Sequence, residues 1–386
     1  MHSEMEMLRC AIVRGGTSKG IFIMANELPS DPVLRDKTLL AIFGSPDIRQ
    51  IDGLAGADVL TSKLAIISPS SRDDADVDYT FGQVSMTEAF VDYGGNCGNI
   101  SSAVGGFAID MGLVAAVEPV TKVRIHLTNT NRILTAEVPV KNGKAAVEGD
   151  YAIDGVPGTG ARITLDWSDV VGGITGFLLP TGNAQDIINA GGKDYSVSVV
   201  DAGNVVVFIK AADFGLTGTE TPDQIEADAA LMQLIEEVRG KVCQKIGLVK
   251  EWQDAAKVTP YQPFFAMVSE PADHHCFNGI DVKKTDVDVV SRLLFMLHMH
   301  KAYAITGTVA TGAAARIPGS VVYEQLTDAA RQNTVLRIGH PSGIIPVEAE
   351  ASSEHGHTKI ERIGVYRTAR MIMEGHVYVR KSLFNK

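Results

Sequence analysis

Two stretches of this chain, residues 99–110 (NISSAVGGFAID) and 311–318 (TGAAARIP), are built from side chains too small and too apolar to offer water a face. Helices of that pattern must be enclosed on every side. Their small residues let strands come close, so each is expected to thread through a curled antiparallel sheet. The remaining sequence supplies the strands, short runs separated by Gly, Asn, Asp and Pro turns, as in residues 79–86 and 195–200. Val123, Ile125 and Leu127 alternate with Arg124, His126 and Thr128. The tip Asn129-Thr130-Asn131 ahead of Ile133 and Leu134 then predicts a hairpin with one wet face.

A third helix is amphipathic. Thr221-Pro222-Asp223-Gln224 offers an N-cap, a proline at the first helical position and a capping-box partner. Leu231, Leu234, Ile235, Val238 and Val242 follow at helical spacing, with Cys243 packed near the end. Each small-residue helix follows a strand-like run and a Gly/Thr/Asn turn, Tyr93-Gly94-Gly95-Asn96-Cys97-Gly98 and Ile305-Thr306-Gly307-Thr308-Val309-Ala310. A glycine-bearing turn also feeds an apolar strand earlier in each half, residues 52–58 before 62–67 and residues 201–204 before 205–209. These parallels predict an internal duplication, and two similar lobes would leave a cleft between them. A chain of 386 residues is also longer than one core usually fills. The lobes are expected at residues 1–178 with 370–386, and at 179–369.

The charge balance narrows the partners. Thirty-five Lys and Arg stand against 46 Asp and Glu, a formal charge of −11, and the basic residues are scattered. Nucleic acid is not expected as a partner. An acidic chain still accepts an acidic small molecule, because amides and a single lysine override the global field inside a cleft. No apolar stretch reaches spanning length, so no membrane is expected either. Met1-His2-Ser3-Glu4-Met5-Glu6-Met7 carries acidic residues where a signal peptide needs basic ones. Cys10, Cys97, Cys243 and Cys276 show no paired spacing and read as free thiols of a cytoplasmic protein.

Cys97 stands in a glycine-flanked turn immediately before a buried helix, where unpaired amides and the helix dipole favour a thiolate. The same amides suit a carboxylate. The alternative is a small hydrophobe in a tight turn. Lys63, in Thr61-Ser62-Lys63-Leu64-Ala65-Ile66-Ile67, lies at the mouth of an apolar strand. A partly desolvated ammonium trades protons more readily, whereas a lysine with its amine in water does not. Arg14-Gly15-Gly16-Thr17-Ser18-Lys19-Gly20 reads as a second loop of bare amides and hydroxyls for an anion, though it is no P-loop, since Ile21 and Phe22 follow Gly20. His274-His275-Cys276 and His298-Met299-His300 lack the spacing and further ligands of a zinc site, so no metal is expected. His300 is a candidate substrate contact or a hydrogen-bonded structural histidine. His340 reads as a turn residue.

The motifs around Arg14 to Gly20, Asp52-Gly53-Leu54-Ala55-Gly56-Ala57-Asp58 leading to Thr61-Ser62-Lys63, and Gly95-Asn96-Cys97-Gly98-Asn99 are joined by Thr308, Thr311-Gly312-Ala313-Ala314-Ala315-Arg316-Ile317-Pro318-Gly319 and Arg367-Thr368-Ala369-Arg370-Met371-Ile372-Met373-Glu374-Gly375. On these residues, which span nearly the whole chain, the sequence resembles the 2-methylaconitate isomerase, 4-oxalomesaconate tautomerase and 3-methylitaconate isomerase group, whose fold is that of diaminopimelate epimerase. The resemblance implies an α+β fold of two similar lobes, each an antiparallel β-barrel around a central buried helix. It implies an active site between them that uses no cofactor. Lys63 and Cys97 would be the acid/base pair, with substrate contacts from Gly16, Thr17, Ser18, Ser62, Asn96, Gly98, Asn99, His300 and Thr308. Where the epimerases place a second catalytic cysteine, this chain reads Thr308-Val309-Ala310-Thr311, which disfavours a symmetric two-thiol racemase. One thiol and one lysine suit moving a proton between two different carbons.

The expected reaction is therefore an allylic proton shift in an unsaturated di- or tricarboxylic acid, with methylitaconate and dimethylmaleate favoured on overall similarity. A methylaconitate, aconitate or oxalomesaconate substrate brings an extra carboxylate or keto group, for which Lys19, His300 and Arg316 are candidate partners. Which of Lys63 and Cys97 takes the first proton depends on the folded site. Rival readings are a cysteine-nucleophile hydrolase using Cys97 with His300, and a carboxylate-binding protein on an epimerase scaffold. A homo-oligomer is compatible with all three.

Overall fold

The first small-residue stretch is a helix, α2 (Gly98–Asp110), in which every residue but the last is buried. The structure, a computed structural model, describes residues 4–354 and 357–384, so the first three residues of the acidic N-terminus lie outside the described residues. By internal packing the chain divides into Met1–Leu165 with Arg367–Lys386, and Asp166–Tyr366.

In the first unit, β1 (Met5–Gly15) and β2 (Ser18–Met24) form a hairpin, and α1 (Pro32–Phe43) follows. Next come β3 (Lys63–Pro69), β4 (Val77–Val84) and the short β5 (Val91–Asp92), then α2, β6 (Val120–Leu127) and β7 (Arg132–Lys141). Most pairs are antiparallel, but β2 with β3 and β4 with β6 are parallel. The C-terminal strand Ala369–Arg380 returns to pair with β1.

Alternation decides what each face of this sheet covers. Phe22 points inward, its ring 5.2 Å from that of Phe107 on α2. On the far side of α2, a Cβ on Gly105 would stand 2.8 Å from Val138 and 3.2 Å from Ala136. Strands β2 and β7, well apart in the strand order, therefore touch one helix on different sides, and the sheet curls around it. The opposite face, with Ile21, Ile23, Leu64 and Ile66, packs on Leu39, Ile42 and Phe43 of α1. That helix starts at Asp31, whose carboxylate accepts from the Leu34 amide at 2.8 Å, and ends at Gly44 with φ 74°. The β6–β7 hairpin forms as the alternation predicts, with Asn131 at φ 53°.

The second unit repeats this topology. Lys193–Ala202 and Asn204–Lys210 form the hairpin, Phe264–Ser269 joins in parallel, Val289–Phe295 antiparallel, Val335–His340 in parallel and Gly343–Glu354 antiparallel. The duplication expected from sequence is thus present in the order and sense of the strands. Its correspondence differs in one place. The strand after the 201–204 turn matches β2, and the counterpart of β3 is Phe264–Ser269.

Three expectations about helices and boundaries are corrected. The amphipathic helix is two, α3 (Pro222–Glu226) with its capping box and α4 (Ala229–Lys245), because the Asp228 side chain caps the Leu231 amide and restarts the helix. The second buried helix, α5, runs Ile305–Ala314 rather than 311–318. The Thr306-Gly307-Thr308 run is its first turn, with the Thr308 and Thr311 hydroxyls bonded back to the Ala304 and Gly307 carbonyls. The unit boundary falls at residue 165 rather than 178. Residues 166–178 join the second unit, since the Gly172 amide binds the Asp201 carbonyl and the Ile174 and Thr175 amides bind the Asp201 carboxylate.

Because Phe107 fills the space between α2 and the inward face of β2, Phe107→Ala is expected to lower the unfolding free energy by about 3–5 kcal/mol. Urea denaturation followed by far-UV circular dichroism measures it.

Candidate active site

Lys63 is the first residue of β3 and lies level with Gly20 on β2 and Gln83 on β4. Gly20 faces α2, where a Cβ would stand 3.0 Å from Ile100, so Lys63 projects from the same inward face. It is 5% exposed, its Nζ donates to Gln83 Oε1 at 2.9 Å, and the ammonium lies 5.5 Å from the centre of the Phe81 ring. The lysine is enclosed at the mouth of an apolar strand, as the sequence predicts.

Cys97 is the N-cap of α2, half-buried and free, with extended backbone. No side chain caps the helix there, so its first-turn amides have no acceptor within the helix. The Cys97 carbonyl takes both the amide and the hydroxyl of Ser101, each at 2.9 Å. The preceding turn is anchored from β4 and the β6–β7 tip. Asn129 accepts from the Phe81 amide and donates to the Phe81 and Tyr93 carbonyls, and Asn96 donates to Thr130 at 3.0 Å.

Residues 14–20 are not an open loop but a two-residue turn, Gly16-Thr17, between β1 and β2. Their amides are largely spent. Gly16 N–H binds the Thr368 carbonyl, Lys19 N–H the Leu60 carbonyl and Thr17 N–H the Asn99 side chain. Gly16 has φ 52°, and a Cβ there would meet the Asn99 Oδ1 at 2.1 Å, so only glycine serves. Asn99 also donates to Thr17 Oγ1 at 3.1 Å and accepts from Arg367 Nε at 3.2 Å. The turn is thus welded to the second residue of α2. Ser18, 2% exposed, has a hydroxyl with no hydrogen-bond partner among the described residues. Ser62 is fully buried and its hydroxyl goes to Gln50 at 2.8 Å, which makes it a support rather than an open contact. Gly98, Asn96 and Asn99 are buried at the head of the helix.

A model of the family described as PrpF protein matches residues 5–380. The chain belongs to the PrpF family. It is 54% identical to the 3-methylitaconate isomerase of Eubacterium barkeri, over 98% of this chain and 99% of that one. It is 41% identical to the 4-oxalomesaconate tautomerase of Pseudomonas putida, over 96% and 95%. A crystal structure of methylitaconate-delta-isomerase superposes with a TM-score of 0.88 at 53% identity, covering 100% of this chain and 98% of that one. A hydroxyproline epimerase, 12% identical with a TM-score of 0.57 over 98% and 93%, shares the fold alone.

Within this PrpF chain the remaining predicted contacts belong to the second unit. Thr308 is fully buried inside α5, with its hydroxyl on Ala304. The N-cap of α5 is Ala304, so the position matching Cys97 carries no thiol. His300 accepts from the Ala302 amide through Nδ1 at 3.0 Å and lies edge-on to Phe295. Arg316, a candidate anion partner, is instead spent on the carbonyls of Ala349, Ala330 and Asn333. Among the described residues no His, Cys, Asp and Glu cluster could hold a metal, and no helix is long and apolar enough to cross a membrane.

Gln83 and Arg367 were not singled out by sequence reading. Gln83 is twenty residues from Lys63, and only strand register joins them. Arg367 lay inside a family motif without a role, and its burial is a tertiary property. Asn99→Ala removes the acceptor of the Thr17 amide and of Arg367, and is expected to cost about 1–3 kcal/mol of stability. Thermal unfolding of variant and wild type measures the loss.

Proposed function

We propose that this protein interconverts methylitaconate and dimethylmaleate by an allylic proton shift, with Lys63 and Cys97 as its acid/base pair. One of the two takes a proton from the carbon α to a carboxylate. The electron pair spreads over the alkene and carboxylate as a dienolate, and a proton returns to the far alkene carbon. The double bond has moved and no atom is gained or lost. The dienolate is the costly species, and preorganised amides at the start of α2 oppose the charge as it develops. A thiol at a helix head and an amine in an apolar setting are both suited to holding and releasing protons.

The observation that carries this reading is the pairing of an enclosed lysine facing α2 with a cysteine heading α2. It stands in a chain 54% identical along its length to a 3-methylitaconate isomerase. In deuterium oxide, purified protein with methylitaconate is expected to place deuterium at the allylic carbon, followed by proton NMR. Lys63→Ala and Cys97→Ala should each slow isomerisation and exchange by roughly 10²–10⁴-fold. Wild-type exchange in both variants would remove their roles. A trapped acyl-enzyme on Cys97 would replace the isomerase with a hydrolase.

A further inference from the structure

Lys63 Nζ has a partner whose orientation is dictated by its other bonds. Gln83 Nε2 donates to the Ser62 carbonyl at 3.0 Å and to the Val59 carbonyl at 3.2 Å. Carbonyls only accept, so the amide nitrogen must face them and the amide oxygen must face the lysine. The same bonds pin the loop before β3, which Gln50 also ties to Ser62. Lys63, its leading loop and Gln83 are one hydrogen-bonded unit.

The duplicated unit shows that the fold does not require this pair. Phe264 begins the counterpart of β3, lying beside Val206 as Lys63 lies beside Gly20. Phe265 pairs with Leu294, so the next step of the ladder sets Phe295 opposite Phe264, and their rings are 5.2 Å apart. Two apolar side chains satisfy these positions there. In the first unit they are an amine and a neutral amide.

We propose that Gln83 is the positioning residue for Lys63, an amide locked by two backbone carbonyls so that its oxygen aims the amine along the face of α2 without neutralising it. The inference rests on the proposed function. Asp78 and Tyr79 lie farther along β4 and Asp110 at the far end of α2; the titratable groups nearer the lysine are Lys19 on β2, Cys97 at the head of α2 and two carboxylates, Asp58 in the preceding loop and Asp92 on β5. The two carboxylates accept from the Leu60 and Gly94 amides, and among the described residues none forms an ion pair with Lys63. A carboxylate at position 83 would therefore be a new kind of partner for the amine.

Two variants and one chemical probe test the idea. Gln83→Leu should lower kcat on the order of a hundredfold with KM within about threefold, because the amine is displaced but the substrate site is not. Gln83→Glu should move the lysine-dependent limb of the kcat/KM profile up by about one pH unit. Competitive acetylation of Lys63 with acetic anhydride across pH, read by mass spectrometry, should show the same upward shift in the folded protein. Thermal unfolding identifies a variant that fails to fold, in which case Gln83→Met is measured in its place. Wild-type kcat in Gln83→Leu, or an unmoved acetylation midpoint in Gln83→Glu, overturns the role of Gln83 while leaving the Lys63 assignment intact. An active Lys63→Ala variant overturns the functional reading instead, and the acetylation result still decides whether Gln83 governs the amine.

Discussion

The structure of the first unit turns on how closely backbone can approach backbone around an enclosed helix. A Cβ on Gly15 would stand 2.3 Å from the Asn99 carbonyl oxygen, and one on Gly20 would stand 3.0 Å from both Ile100 and the Lys63 carbonyl. No larger residue fits at Gly15 without moving the helix. The contact fixes where α2 begins relative to the ends of β1, β2 and β3. A side chain at the head of the helix and one at the mouth of β3 are then held on rigid elements, with little left to loop motion. Such precision is what proton transfer between fixed groups requires. The packing that looks like pure core construction also fixes where Cys97 and Lys63 stand on the first unit.

The two units share this frame and differ in what is mounted on it. Each has a hairpin tip bonded to the second residue of its buried helix. Thr17 meets Asn99 in one, and Asn204 donates to Thr306 at 2.7 Å in the other. At the helix head, however, Cys97 stands against Ala304, and at the strand mouth Lys63 and Gln83 stand against Phe264 and Phe295. The aromatic pair, with Tyr261 packed on both rings, behaves as ordinary core. The polar pair in the same register costs desolvation, which its own bonds offset: Lys63 to Gln83, and Gln83 to the Val59 and Ser62 carbonyls. The second unit thus serves as an internal control on the first.

Much of this was legible in the sequence, for identifiable reasons. The composition of residues 99–110 leaves no wet face, so burial of α2 follows from the residues alone. Cys97 and Lys63 are marked by their immediate neighbours, and local sequence suffices to place one on a helix cap and the other on a strand start. The sequence places the second buried helix at 311–318 rather than 305–314 because Thr and Gly signal turns in isolation. Burial and hydroxyls bonded to the preceding turn override that signal. The 14–20 segment reads as an anion cradle in the sequence because its amides have no local acceptor. Their acceptors, Thr368, Leu60 and Asn99, come from distant parts of the chain. Gln83 and Arg367 were hidden for the same reason, since their meaning lies in long-range partners that no local pattern announces.

Arg367 completes the electrostatics of the helix head. Burial pushes its guanidinium down to about 10, with Tyr151 and Asp154 opposing that drop, so it remains protonated at neutral pH. Its Nε holds Asn99 Oδ1, and its Cδ lies 3.0 Å from where a Cβ on Gly16 would stand. A fixed positive charge therefore lies next to the N-terminus of α2, where the helix dipole is positive as well. Low local dielectric strengthens both fields, and neither needs to reorient when charge develops nearby. Arg14, also held below its ordinary value by burial and by Arg370, donates to the Gly16 and Thr368 carbonyls and stiffens the same corner. An anion arriving at the Cys97 turn meets a positive potential built by buried backbone and guanidinium groups rather than by mobile surface lysines. That arrangement gives a chain of formal charge −11 a locally positive region at the Cys97 turn.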